Sequence, residues 1–379
     1  MLKSFDVSNF RCFQSVNLRD LKRVNIVTGA SASGKSALLE SIFFAARGTA
    51  EGVLWLNQLR GLPIPVNPLN PTLPLIVSPV ISPQFFRPLW EHWFYGSSEN
   101  ASPSRAKKIS FCFSDTDQKN YTLDVSFLGE EPIASPQVSA GSFPQSAVIP
   151  VIFERTINGK ATKVQINIGP HGQIISQPPV GDLGPSVFIF SSVLNYAESD
   201  NVTWFSQLRE KGQADSITNL IKDTFPFITG LEVLAPSGIT GIYANLKSGG
   251  LRRLQLVSSG IHKILTILLA CAFTENGIVL VDEIENGLFY ENYELIWSTL
   301  YEFTEKSRAQ LFVTSHSAEC LRKLAPVING KINDFSLLRA ERQNGQCVVR
   351  HISGAAMKAA LDRGGEPRGA TVAPDNDKA

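Results

Sequence analysis

A chain of 379 residues has room for one large α/β domain carrying an insertion, or for two modest domains, and is too long for a stapled miniprotein. Hydrophobic residues make up 43% and charged residues 18%; the charged share lies below the roughly 25% of ordinary soluble domains, which excludes a disordered chain and leaves apolar surface to face a partner. A net charge of +1 excludes bulk attraction to nucleic acid or anionic lipid, so any such contact has to be local.

In chain order, Leu2 to Val7, Cys12 to Leu18 and Val24 to Thr28 are short apolar runs divided by turns, which predicts two antiparallel strands feeding a third. Gly29-Ala30-Ser31-Ala32-Ser33-Gly34-Lys35-Ser36 follows, a complete GxxxxGKS string between that third strand and a helix predicted over Ala37 to Arg47. The glycines let successive N–H groups turn toward the β- and γ-phosphates of a nucleotide, and the positive end of the helix adds to that field. Lys35 would bridge those phosphates and Ser36 would give its hydroxyl to Mg²⁺. The bland alternative is a glycine turn entering a helix.

Residues 62–88 hold eight prolines among leucine, isoleucine, valine and phenylalanine, which rules out a regular helix or a central strand. They form either a surface loop packed on its own domain or a docking surface for another protein. Strands are predicted at Lys108 to Phe113, Tyr121 to Phe127, Val148 to Phe153, Lys163 to Ile168 and Ser186 to Ser191. Asn195 to Phe225 is helical in pattern, with Trp204, Leu208, Leu220 and Ile221 at suitable spacing. A strand at Leu231 to Leu234, a turn-rich pair around Tyr243 to Leu256 and a helix from Ser259 to Glu275 come next. Strand, helix, strand, helix (277–282, 290–307, 310–315, 317–324) then gives the alternation of a parallel sheet. From Gly365 the chain is polar and aperiodic, a frayed tail.

Gly277 to Val281 is an unbroken apolar strand ending in Asp282 and Glu283, and ligands gather at the carboxyl ends of such strands. Asp282 would hold Mg²⁺ through water, and Glu283 would polarise the water that attacks the γ-phosphate; carboxylates that cap a helix are the alternative. Leu311 to Ser315 is a second apolar strand, ending in His316, which either senses the γ-phosphate or is an ordinary satisfied histidine. His92, His171, His262 and His351 lack such context. Ser258-Ser259-Gly260 opens a helix with small residues, suited to a phosphate or to a plain N-cap.

This order of motifs resembles the ABC-type ATPases of the SMC, RecF and OLD group: Asn9-Phe10-Arg11-Cys12-Phe13, then Gly29 to Ser36, Ser258-Ser259-Gly260, Asp282-Glu283 and His316. Asp282 to Leu288 and Thr314 to Cys320 are most similar to the OLD-like, RecF-like stand-alone ATPases (AAA family) of prokaryotic defence systems. The resemblance implies an α/β P-loop NTPase of the ABC-ATPase head type: a mostly parallel sheet with helices, an antiparallel β-rich lobe and a helical lobe. Residues 1–364 would form a single head, with 1–47 and 183–364 as nucleotide-binding core and 48–182 as inserted lobe, and 365–379 would be flexible. It further implies ATP and Mg as cofactors, hydrolysis to ADP and phosphate with Glu283, Lys35 and His316 as catalytic residues, and Ser36 and Asp282 as metal ligands. Residues 29–36 and Ser258, Ser259 and Gly260 would bind nucleotide, the latter three in trans within an ATP-bound homodimer.

Departures from the family pattern are Ala32 in place of a glycine, which implies a tighter loop or altered nucleotide geometry, Phe289 in place of a histidine, and Ile261 in place of a polar residue. Arg11 either reaches the nucleotide or anchors the first strands. Sustained heptads, and with them long coiled-coil arms, are absent, and the 63 residues after His316 leave no room for a nuclease domain. An effector or nuclease encoded nearby is therefore the expected partner, in anti-phage defence. The alternatives are a RecF-like ATP-dependent DNA-repair protein, touching DNA through Arg105, Lys107, Lys108, Arg252 and Arg253, and a scaffold with a vestigial ATPase. Five scattered cysteines without a CxxC pair argue against zinc or disulfides. The absence of a signal-like start or a spanning apolar run predicts a cytoplasmic protein with no membrane contact.

Overall fold

The computed structural model describes residues 1–48, 56, 93–95, 108–127, 150–168, 174–177, 186–189 and 198–364. The proline-rich stretch 62–88, Arg105, Lys107, His92, His171 and the tail from 365 lie outside the described residues. Strands β1 (Leu2–Phe10) and β2 (Phe13–Leu18) pair antiparallel across a two-residue turn. Every second residue, Phe5 and Val7 in β1 and Val16 and Leu18 in β2, points inward, as the period of a half-buried strand requires. After β3 (Val24–Gly29) and helix α1 (Lys35–Arg47) come β4 (Lys108–Asp115), β5 (Asn120–Phe127), β6 (Pro150–Ile157), β7 (Lys160–Ile168) and β8 (Ile174–Gln177). With β1 and β2 they make a seven-stranded antiparallel sheet in the order β2-β1-β4-β5-β6-β7-β8. In this sheet β1 pairs with β4, setting Phe5 opposite Phe113 and Val7 opposite Phe111.

The rest of the chain runs β9 (Ser186–Ile189), α2 (Glu198–Glu210), α3 (Ala214–Thr224), β10 (Ile228–Leu234), β11 (Gly241–Leu246), β12 (Leu251–Arg253), α4 (Leu254–Val257) and α5 (Ser259–Phe273). Then follow β13 (Ile278–Val281), α6 (Tyr293–Ser307), β14 (Gln310–Thr314), α7 (Ala318–Arg322), α8 (Ala325–Ile328), β15 (Phe335–Gln343), β16 (Gln346–Ser353) and α9 (Gly354–Asp362). The second sheet has the order β16-β15-β3-β14-β13-β9, parallel apart from the antiparallel edge strand β16. Strands β10 to β12 form a separate three-stranded meander. The helical stretch 195–225 is two helices, broken where Gly212 takes a φ of 69°. Residues 254–257, assigned to the turn-rich pair, are helical instead.

Because the parallel strands are buried on both faces, alternate side chains serve two cores. Ile26, Val279, Val281, Leu311 and Val313 pack into a cluster with α2, α3, α5 and α6, whereas Val27, Leu280 and Phe312 face α1. Helix α1 lies between the sheets: its Phe44 ring is 5.4 Å from that of Phe111 in β4 and 5.9 Å from that of Phe153 in β6. One buried amide joins the layers. Gln310, at the start of β14, accepts the Leu2 N–H at 2.7 Å and donates to the carbonyls of Leu2 (2.9 Å) and Lys22 (2.7 Å). Gln310→Leu would strip the Leu2 N–H and carbonyl of this partner and leave the Lys22 carbonyl to Asn25 alone, at a cost of about 2–4 kcal/mol. We expect its melting temperature to fall by about 5 °C or more in a thermal scan; a fall below about 1 °C would show that this joint carries no weight.

Candidate functional site

The loop after β3 is shaped by close packing. Gly29 has a φ of 147°, and a Cβ there would stand 2.0 Å from the Ala340 carbonyl oxygen. Gly34 has a φ of 98°, and its Cβ would meet Cys12 Sγ and the Phe13 ring at 2.9 Å. Ala32 takes a φ of 56°, the left-handed conformation that glycine favours, so the loop keeps its course at a cost of about 1 kcal/mol and needs no tightening. Gly34 caps α1 without a side chain, and the first turn of α1 carries no acidic residue, so the helix start presents free N–H groups to an anion. Lys35 is buried and donates to the carbonyls of Gly29 (2.9 Å) and Ala30 (2.6 Å). Burial lowers its pKa, against the pull of Asp282, Glu283 and Glu285.

Four of the predicted residues meet at the carboxyl ends of β13 and β14. Ser36 Oγ lies 3.1 and 2.9 Å from the two carboxylate oxygens of Asp282, which is 3% exposed. Thr314 donates its hydroxyl to Asp282 at 2.6 Å and accepts the Glu283 N–H at 2.7 Å. Glu283 has a φ of 49°, and its carboxylate Oε1 stands 3.9 Å from His316 Nε2, both side chains being 39% exposed. The backbone of Glu283 is held further by Lys263 of α5, whose ammonium donates to the Glu283 carbonyl at 2.5 Å. Burial brings Lys263 down to about 8, in spite of Glu285, Glu283 and Asp282 nearby.

Among the described residues no hydrogen bond or ion pair joins Ser258, Ser259 or Gly260 to residues 29–36. Ser258 Oγ accepts the Ile261 N–H at 3.3 Å as the N-cap of α5. Gly260 packs directly on the turn after Glu283, where an added Cβ would fall 1.8 Å from the Gly287 carbonyl oxygen. Arg11 is an anchor: it pairs with buried Glu40 of α1 at 2.9 Å and lies 4.2 Å over the Trp93 ring. His262 is a satisfied core histidine, 2.9 Å from Glu198 Oε2 and 3.2 Å from Asn201 Nδ2. Of the basic residues considered for DNA, Lys108 is paired with Asp124 at 2.8 Å and Arg253 with Glu198 at 3.6 Å.

A family described as "AAA domain, putative AbiEii toxin, Type IV TA system" matches residues 171–322. A Helicobacter pylori protein described as an ATP/GTP phosphatase is 21% identical over 369 residues, covering 92% of this chain and 94% of that one. Among solved structures, an Smc head bound to the C-winged helix domain of ScpA superposes with a TM-score of 0.50 at 13% identity, over 93% of this chain and 98% of that one. An SMC head domain from Thermotoga maritima gives a TM-score of 0.46 at 15% identity, over 93% and 99% of the two chains. The chain has the fold of an ABC-type ATPase head. Among the described residues no helix is long and apolar enough to cross a membrane.

Within this head, sequence reasoning passed over Thr314, Lys263 and Glu285. Thr314 lies in the apolar strand Leu311 to Ser315, one residue short of its end, and its hydroxyl there is the available signal. Gly260 was read as a nucleotide contact, and its contact with Gly287 is a second reason for the missing side chain. Gly260→Ala should prise the tip of α5 from that turn and lower the melting temperature by several degrees, about 1–3 kcal/mol of overpacking. An alanine variant as stable as the parent would show that the two segments move apart freely.

Proposed function

We propose that this chain is an ATPase that closes into a homodimer on binding ATP and opens on hydrolysis, passing the change of shape to an effector or nuclease partner in defence against phage. The observation that carries the reading is the unbroken chain of contacts from Ser36 through Asp282 and Thr314 to Glu283, with His316 at its open end. The family description, which names a toxin system, and the phosphatase description of the Helicobacter pylori relative support it. Residues 1–364 act as one head in this reading, with 48–182 inserted in it.

The donor set fits Mg²⁺, a hard cation that prefers oxygen ligands: Ser36 offers a hydroxyl, and both oxygens of Asp282 are turned toward it. Bound there, by Ser36 directly and by Asp282 through water, Mg²⁺ would neutralise charge on the phosphates. The main-chain N–H groups of residues 29–36 and the Lys35 ammonium hold the β- and γ-phosphates. Glu283 takes the proton of the attacking water, and His316, 3.9 Å from the Glu283 carboxylate, donates to the γ-phosphate.

For the dimer, the tip of α5 would serve the loop of a second copy. Leu256, 83% exposed, lies just before that tip, and Phe289 and Tyr290 follow Gly287 on the turn that the tip touches, both exposed. Large apolar residues exposed around one contact mark a surface that another protein covers. The ScpA domain bound to the similar Smc head is in keeping with a protein partner. A RecF-like DNA role has less support, because Lys108 and Arg253 already face carboxylates.

Steady-state hydrolysis, nucleotide binding and light scattering test the proposal together. Lys35→Ala should weaken ATP binding at least tenfold or abolish turnover. Glu283→Gln should lower kcat by about 10²–10⁴-fold while keeping ATP bound and the protein dimeric. A Glu283→Gln protein that hydrolyses at the parent rate removes the assigned base, and a parent protein that stays monomeric with ATP removes the dimer.

A further inference from the structure

Two charged groups beside the carboxylate strand, one buried and one half-buried, play no part in the chemistry just described. Glu285 sits two residues after Glu283 in the turn leaving β13, and its Oε1 accepts the main-chain N–H groups of His316 (2.5 Å) and Ser317 (3.0 Å). Its Oε2 is buried without a hydrogen-bond partner among the described residues. Lys263, 3% exposed, reaches the same turn from α5 through the Glu283 carbonyl. Of the carboxylates near Lys263, Glu285 has the largest electrostatic effect on it.

These contacts bear on the distance between the two groups that face each other at the mouth of the site. Glu283 rides on the turn after β13 and His316 on the segment after β14, and nothing in their own 3.9 Å contact fixes that separation. Glu285 spans the two segments with one oxygen and two main-chain donors, one of them the amide of His316 itself. A carboxylate gripping the backbone of one reacting residue from a position two residues beyond the other sets where the imidazole stands. We propose, resting on the function assigned above, that Glu285 is a positioning residue: it clamps the backbone of His316 against the turn that carries Glu283. It touches neither phosphate nor water in this role. The clamp requires an acceptor of this reach and not a negative charge as such, so glutamine serves and the shorter aspartate does not.

Three variants, Glu285→Ala, Glu285→Gln and Glu285→Asp, test it through kcat and KM for ATP and through hydrogen exchange of the His316 and Ser317 amides without nucleotide. In the alanine and aspartate variants kcat should fall about tenfold or more with KM within about threefold, and the two amides should exchange about tenfold faster. The glutamine variant should restore both, since its amide oxygen accepts the same pair of N–H groups. Unchanged kcat in the alanine variant, glutamine as impaired as alanine, or slowed turnover with amide protection intact would each overturn the clamp. Should Glu285→Ala not fold, the glutamine and aspartate proteins decide the matter between them. A parent protein without turnover would sink the proposed ATPase instead, and amide exchange would still judge the clamp.

Discussion

The hydrogen bonds that Asp282 makes with Ser36 and Thr314 are the constraint on which the site depends. Asp282 is almost fully buried, and a carboxylate can be kept there only if its oxygens are engaged, so its partners have to stand where they do. Ser36 belongs to the first turn of α1 and Thr314 to the end of β14, so one side chain ties the glycine loop, β13 and β14 to a common origin. The loop is shaped separately, by backbone and thiol contacts that leave no room for a Cβ at Gly29 or Gly34. Asp282 then adds a buried polar link between the loop's helix and the ends of β13 and β14.

The layers beneath explain why that origin is rigid. Parallel strands β3, β13 and β14 are buried on both sides, so each successive residue commits to one of two cores, and a slip of one residue would exchange them all. Buried amides lock the ends opposite the site: Gln310 joins β14 to β1, and Asn25 of β3 donates to the Lys22 carbonyl at 2.6 Å while accepting from Ser336 of β15 at 2.7 Å. Polar groups at the foot of the sheet set its register, and the ends carrying Asp282 and Thr314 inherit it.

What could be read from the chain alone follows the same physics. Val24 to Thr28, Gly277 to Val281 and Leu311 to Ser315 were legible as strands because double burial leaves an unbroken apolar run, and Ser259 to Phe273 because an almost wholly buried helix does the same. Strands β15 and β16 and helix α9 escaped notice: Phe335-Ser336-Leu337-Leu338 is buried throughout, but the strand then runs out into Arg339, Glu341 and Arg342 and loses any clean period. Strand β8 escaped too: Ile174-Ile175-Ser176-Gln177 offers only two apolar residues, where the equally short β13 is apolar throughout. Thr314, Lys263 and Glu285 were illegible for another reason: their partners lie 20 to 32 residues away in sequence, at distances that only the folded sheet creates.

Glu283 shows how such long-range contacts enter function. A glutamate at a φ of 49° is in the left-handed region, which costs a non-glycine residue roughly 1–2 kcal/mol. The Thr314 hydroxyl accepts its N–H, and the Lys263 ammonium and the Asn286 N–H both donate to its carbonyl. At about 1 kcal/mol for a neutral hydrogen bond, and more for the charged one, these bonds offset the strain with little left over. The backbone is therefore over-determined while the side chain stays half-exposed, which aims the carboxylate without burying it. Since one of the three bonds comes from α5, whose tip presses on Gly287 of the same turn, a displacement of that helix disturbs the glutamate from two directions at once. In the dimer proposed above, whatever engages the tip of α5 would therefore also act on the aim of the Glu283 carboxylate.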